Sequence, residues 1–164
     1  MAIGLLTLAL LGTVLYAWSL LQGHLVSLHR APVAGHFLVA LAATVILVMA
    51  HSFIMFFLLA TGVELKDMEK AAGWGDSFRR RTIRMKSVVF PVMTLAILAV
   101  MANFILGAGA HTHAIPPWAH GALGWTTLVI SSVALYREYV VLGDNNRLIA
   151  EAGERRRAAG RASS

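Results

Sequence analysis

Two stretches of this chain repeat one frame built from residues that could hold a ligand. HRAPVAGH at 29–36 and HAIPPWAH at 113–120 each read His, two residues, Pro, three residues, His, and they stand 84 residues apart. The chain has seven histidines and no cysteine. Without cysteine there can be no disulfide, thiolate zinc site, iron–sulfur cluster or CxxCH haem attachment. A bound metal would have to rely on His, Met, carboxylate or backbone. Neutral imidazoles without a nearby carboxylate suit copper, iron or haem better than magnesium or calcium.

Two ligand sets follow from that chemistry. Haem b takes axial histidines from opposite helices, and His36 and His120 are the pair for it. Copper would gather three or four imidazoles, from His36, His111, His113 and His120. His51 is the third candidate cofactor ligand, set apart from the others in the apolar run MAHSFIMFFLLATG.

The elements that carry these residues are membrane spans. Of 164 residues, 58% are hydrophobic and 13% charged, and the mean hydropathy is +0.71. A soluble domain needs far more polar surface. Four apolar segments, at about 3–22, 37–62, 87–108 and 117–137, each approach the ~20 residues that cross a bilayer. In lipid every backbone polar group must be satisfied internally, so these segments are helices. The fold expected is all-α: an integral membrane four-helix bundle, up-down-up-down, over residues 1–142. A cytoplasmic tail follows at 143–164, helical at first and then frayed. The first segment lacks a basic n-region and a cleavage site, and reads as a retained span rather than a signal peptide.

Charge sets the orientation. Thirteen of the fourteen Lys and Arg residues lie in 63–86 or from 137 onward; Arg30 is the exception. The positive-inside rule then places both termini and both basic stretches in the cytoplasm, as for a multi-pass protein of the bacterial inner (plasma) membrane. The high pI reflects insertion beside anionic lipid headgroups and argues against nucleic acid. All eight acidic residues fall on the cytoplasmic side, which leaves no membrane-embedded carboxylate expected.

With this topology six histidines, at 24, 29, 36, 111, 113 and 120, gather at the outer face, and His51 alone is deep. Proline suits the first turn of a helix, so Pro32 and Pro116 put His36 and His120 one turn inside their helices at equal depth. The 84-residue shift also lays the first span over the third, which describes a pseudo-repeat of two helical hairpins. Small residues run below the histidines: Gly124, Thr127 and Ser131 below His120, Ala40 and Ala43 below His36. In an up-down bundle sequential helices are neighbours. The second and fourth then lie on a diagonal, with their histidines facing across a central gap.

An ionisable residue as deep as His51 must be paired or neutral. The sequence offers Ser52, Thr94, Thr127 or Ser131 as hydrogen-bond partners, and Met93 or Met101 as co-ligands. A proton pathway through His51 is a further reading, weakened by the expected lack of an embedded carboxylate. Tyr16, Trp18 and Trp118 read as interface anchors, Trp125 as a residue lining the bundle, and Pro91 as a kink in the third span. No nucleophile–base pair, Walker loop, GxGxxG or HExxH occurs, so soluble-type catalysis has no support. In outline the arrangement resembles small four-helix membrane cytochromes, with none of their motifs complete.

The function expected is therefore a small membrane protein that binds haem b or copper near its outer face. It would act as an electron-transfer or accessory subunit, with lipid and other membrane subunits, or copies of itself, as partners. The alternative is a cofactor-free structural or assembly subunit, whose small-residue stripes mediate helix association.

Overall fold

The computed structural model describes residues 1–162. It consists of four helices: α1 (Ala2–Ser27), α2 (Val33–Ala72), α3 (Ser77–His111) and α4 (Pro117–Ala162), with no strand among the described residues. Short turns join them, so sequential helices run antiparallel. Three of them, α1, α2 and α3, are long and apolar enough to cross a membrane. The fourth expected span is diluted by the residues α4 turns inward, among them His120, Gly124, Thr127 and Ser131.

The helices outrun the expected spans. At ~1.5 Å per residue, the 40 residues of α2 reach about 60 Å and the 46 of α4 about 69 Å. The tail is helical through Ala162 and packs, and its last two residues lie outside the described ones. Leu148 and Ala152 are buried with Leu65 and Phe78 where α2, α3 and α4 continue past the start of α1. Pro91 is accommodated inside α3 without a break in the helix.

α2 stops where the sequence places its glycines. Gly73 takes the left-handed conformation (φ 67°) at the helix end, which a residue without Cβ adopts at no steric cost. The first turn of α3 is capped from another helix. Asp76 at its N-cap makes no side-chain hydrogen bond to the helix's free N–H groups. Instead the Glu69 carboxylate, from α2, accepts from the backbone N–H of Phe78 (2.9 Å) and Arg79 (3.0 Å) and from Ser77 Oγ (3.3 Å). Burial works against the charged carboxylate, but these bonds outweigh it and hold Glu69 below its ordinary value of 4.5. A negative charge at a helix N-terminus also complements the helix dipole.

The two hairpins repeat each other in detail. The turn after α1 bonds Leu28 N to His24 O, His29 N to Val26 O and Arg30 N to Leu25 O; 84 residues on, Thr112, His113 and Ala114 bond to Ala108, Ala110 and Gly109 in the same way. Both turns pivot on a histidine in the left-handed region, His29 at φ 57° and His113 at φ 59°. The buried faces share the shift: Ala43 and Thr127, Leu47 and Ser131, Ala50 and Ala134, Leu58 and Leu142. On the diagonal α2 touches α4 directly, so the expected central gap is closed. Closure follows from the small residues at this seam, since Ala43, Ala50 and Ala134 let backbones approach.

Candidate functional site

His36 and His120 meet at one end of the bundle. Their ring centres are 6.3 Å apart with planes inclined at 67°. His36 Nδ1 lies 3.0 Å from the Ser19 carbonyl, which accepts its proton and leaves Nε2 as the free nitrogen. Asn103 holds the position of Ser19 in the second hairpin, and its backbone interacts with His120. His120 Nδ1 is nevertheless buried without a well-formed hydrogen bond. Each ring rests on a glycine of the preceding helix. A Cβ on Gly23 would lie 3.1 Å from His36 Cε1, and one on Gly107 would lie 3.1 Å from His120 Cε1. Here glycine matters because a side chain would displace the ring.

The other histidines of this end do not join them. His111, His113, His24 and His29 are all exposed. No group of three or more His, Cys, Asp or Glu placed to hold a metal occurs among the described residues. Trp18 and Trp118 are exposed, and Trp125 points outward at 55% exposure and does not line the bundle. Tyr16 is no interface anchor either. It is buried, its hydroxyl accepts from Asn103 Nδ2 at 2.8 Å, and Thr127 lies beside it.

His51 has a partner that the sequence does not reveal. Its Nδ1 shares a hydrogen bond of 2.5 Å with Glu138 Oε1, and both residues are 0% exposed. This corrects the expectation that the partner is a hydroxyl residue, and it puts a carboxylate inside the bundle where none was expected. Glu138 sits one residue beyond the fourth apolar segment, and there the buried face of α4 continues unbroken through Ala134, Val141 and Leu142. The surrounding layer is apolar, with Ala9, Ala50, Ile54, Val89 and Met93. Of the suggested methionine co-ligands, Met93 is buried in this layer and Met101 is exposed.

The interior holds more polar groups than it pairs. Thr61 Oγ1 donates to Asn145 Oδ1 at 3.1 Å. Yet Gln22 Oε1, Asn103 Oδ1, His120 Nδ1, Ser131 Oγ, His51 Nε2, Glu138 Oε2 and Asn145 Nδ2 are buried without a partner. A buried donor or acceptor left unsatisfied costs about 1–3 kcal/mol, so groups in such numbers call for water or a ligand.

No family model, curated protein or solved structure matches this chain.

Proposed function

We propose that this chain is a small multi-pass membrane protein that binds a redox cofactor between His36 and His120, as an electron-transfer or accessory subunit of a membrane complex. The observation that carries the reading is the pairing of these two rings, one from α2 and one from α4, at 6.3 Å between centres. With metal–nitrogen bonds of ~2.0–2.1 Å and ring centres roughly 1 Å beyond the nitrogen, two imidazoles on opposite sides of one metal stand about 6 Å apart. The Ser19 carbonyl on His36 Nδ1 is the kind of outer contact that orients a ligating imidazole. Gly23 and Gly107 leave the rings their place.

By ligand count haem b suits this pair better than copper, and a porphyrin between the rings would need the closed α2–α4 seam to part at this level. A porphyrin supplies the equatorial ligands and needs only two axial histidines. A copper site of three or four imidazoles would need His111 or His113, which stand exposed outside the pair. If haem were bound, its iron would supply one-electron chemistry, and His36 and His120 would be the residues to hold and orient it.

Thirteen basic residues at the end opposite the pair favour both termini in the cytoplasm and the pair near the outer face, as in a bacterial inner-membrane protein. The abundant exposed apolar side chains of α1, α2 and α3 favour lipid and neighbouring subunits as partners. An absorption spectrum with iron and copper analysis on the purified protein tests the proposal. A Soret band that is lost in both His36→Ala and His120→Ala is expected; neither a Soret band nor a stoichiometric metal would refute it.

A further inference from the structure

The buried polar groups form a column rather than a scatter. On α4, Thr127, Ser131, Glu138 and Asn145 follow one another at steps of four, seven and seven residues, which keeps them on one face of a helix. All four are at most 1% exposed. Opposite them α2 contributes His51 and Thr61, and α3 contributes Asn103. From the level of His120 down to Asn145 is 25 residues of α4. At ~1.5 Å per residue the column is about 37 Å long, as against ~30 Å for the hydrocarbon core of a bilayer. No step between successive polar levels exceeds about 10 Å along the axis.

About 27 Å below the level of His120 stands an ionisable pair, with the buried Tyr16 phenol, beside Asn103 and Thr127, as a further ionisable group between it and the histidine pair. His51 and Glu138 are bonded to each other, and each keeps one buried atom, Nε2 or Oε2, without a partner. Ser131 Oγ above them and Asn145 Nδ2 below them are likewise unpartnered. Partnerless atoms in sequence along the seam are what entering water would satisfy once the seam opens. At the lower end Lys86 Nζ would lie 2.8 Å from a Cβ on Gly62, next to Thr61, so the half-buried ammonium stands beside the last polar level.

We propose that this column is a proton path across the bundle, dry in the closed seam and conducting when water enters between α2 and α4, with the His51–Glu138 pair as its proton-binding station. The proposal rests on the reading that the bundle spans a bilayer, and not on a cofactor at His36 and His120. A proton reaching the pair is taken by the imidazole or the carboxylate, and the shared hydrogen bond passes it from one to the other. A proton taken at Nε2 lets Nδ1 pass its own proton to Oε1. The carboxyl must then turn to release that proton onward, and the imidazole must turn back to its starting tautomer before the next one arrives. The pair's own surroundings hold no rival charge. α1 brings Ala2 and Ala9 against this layer, with no ionisable side chain between Met1 and Tyr16, and only the exposed Met1 amino group lies at that end. α3 brings Val89 and Met93, Lys86 being its nearest charge; on α2 the next charge is Glu64, and on α4 Arg137 is exposed outward.

The test is proton flux into liposomes holding the full chain as purified. A potassium diffusion potential drives it, and a trapped pH dye reads it. Carbonate-resistant integration of the protein is checked on the same vesicles. Wild-type protein is expected to pass protons faster than protein-free vesicles. Glu138→Gln should bring the rate back to that background, and so should Ser131→Val, which interrupts the column without touching the pair. Arg137→Gln, outside the column, should leave it unchanged. Integrated wild-type protein with no flux above background overturns the proposal, as does full flux in Glu138→Gln or Ser131→Val. Failure of the wild type to integrate overturns the spanning reading and the path together.

Discussion

The His51–Glu138 pair gives a prediction whose size can be worked out from burial alone. Both side chains are 0% exposed and sit among alanine, isoleucine, valine and methionine. Removing one partner leaves the other desolvated with nothing to bond, a loss of about 3–5 kcal/mol for a buried pair. His51→Leu and Glu138→Leu should each cost that much. Replacing both at once removes the whole polar site, and exchange of a buried pair for apolar residues of similar volume is often neutral. The double variant should therefore come within about 1 kcal/mol of wild type, which makes the coupling between the sites at least ~5 kcal/mol. The measurement is an equilibrium unfolding titration of wild type, the two single variants and the double variant in mixed detergent micelles, followed by circular dichroism. Additive losses, or single variants within about 1 kcal/mol of wild type, would show that the two groups do not depend on each other for their burial.

Two further outcomes test the ends of the bundle. Gly23→Ala and Gly107→Ala should each push a histidine ring and lower cofactor content in the purified protein, whereas Gly35→Ala, whose Cβ meets nothing within 4 Å, should not. Glu69, with its carboxyl held below the usual 4.5, lends α3 stability that is present above that value and lost as the pH falls through its lowered folded one. Glu69→Ala should cost about 0.5–2 kcal/mol at neutral pH, as loss of a helix cap does, and flatten the acid limb of the stability–pH curve.

Much of the architecture is readable without coordinates because it follows from composition and spacing. Apolar runs of bilayer length, a lopsided distribution of Lys and Arg, and the frame shared by 29–36 and 113–120 are properties of one strand of text. The 84-residue shift is a reliable guide for the same reason: it predicts equal depth for His36 and His120, and they touch. What escapes is pairing between distant helices. Glu138 follows Arg137 in a stretch that reads as a cytoplasmic boundary, and nothing local marks it as buried. The steps from Thr127 through Ser131 to Glu138 keep to one helix face, and that periodicity is the one signal in the sequence that points to Glu138 as buried. Tyr16 is hidden similarly. An aromatic near a helix end reads as an interface anchor until its hydroxyl is found on Asn103. Glu69 capping a different helix cannot be anticipated from the N-cap residue of that helix.

The register of the two hairpins also decides which halves can assemble. His36 and His120, like Thr61 and Asn145, stand 84 residues apart and so occupy equivalent places in the two halves. His51 and Glu138, like Tyr16 and Asn103, are offset by 87. The residue in the first hairpin equivalent to Glu138 is Ile54, and the one in the second equivalent to His51 is Leu135. A first hairpin docked on its own copy would thus set His51 against isoleucine, and a second hairpin docked on its own copy would set Glu138 against leucine. Each self-pairing buries an ionisable group with no mate, a penalty that only the mixed pair escapes. The near-symmetric chain in this way carries a lock and key between its halves, which favours one polypeptide closing on itself over strand-exchanged assemblies built from like hairpins.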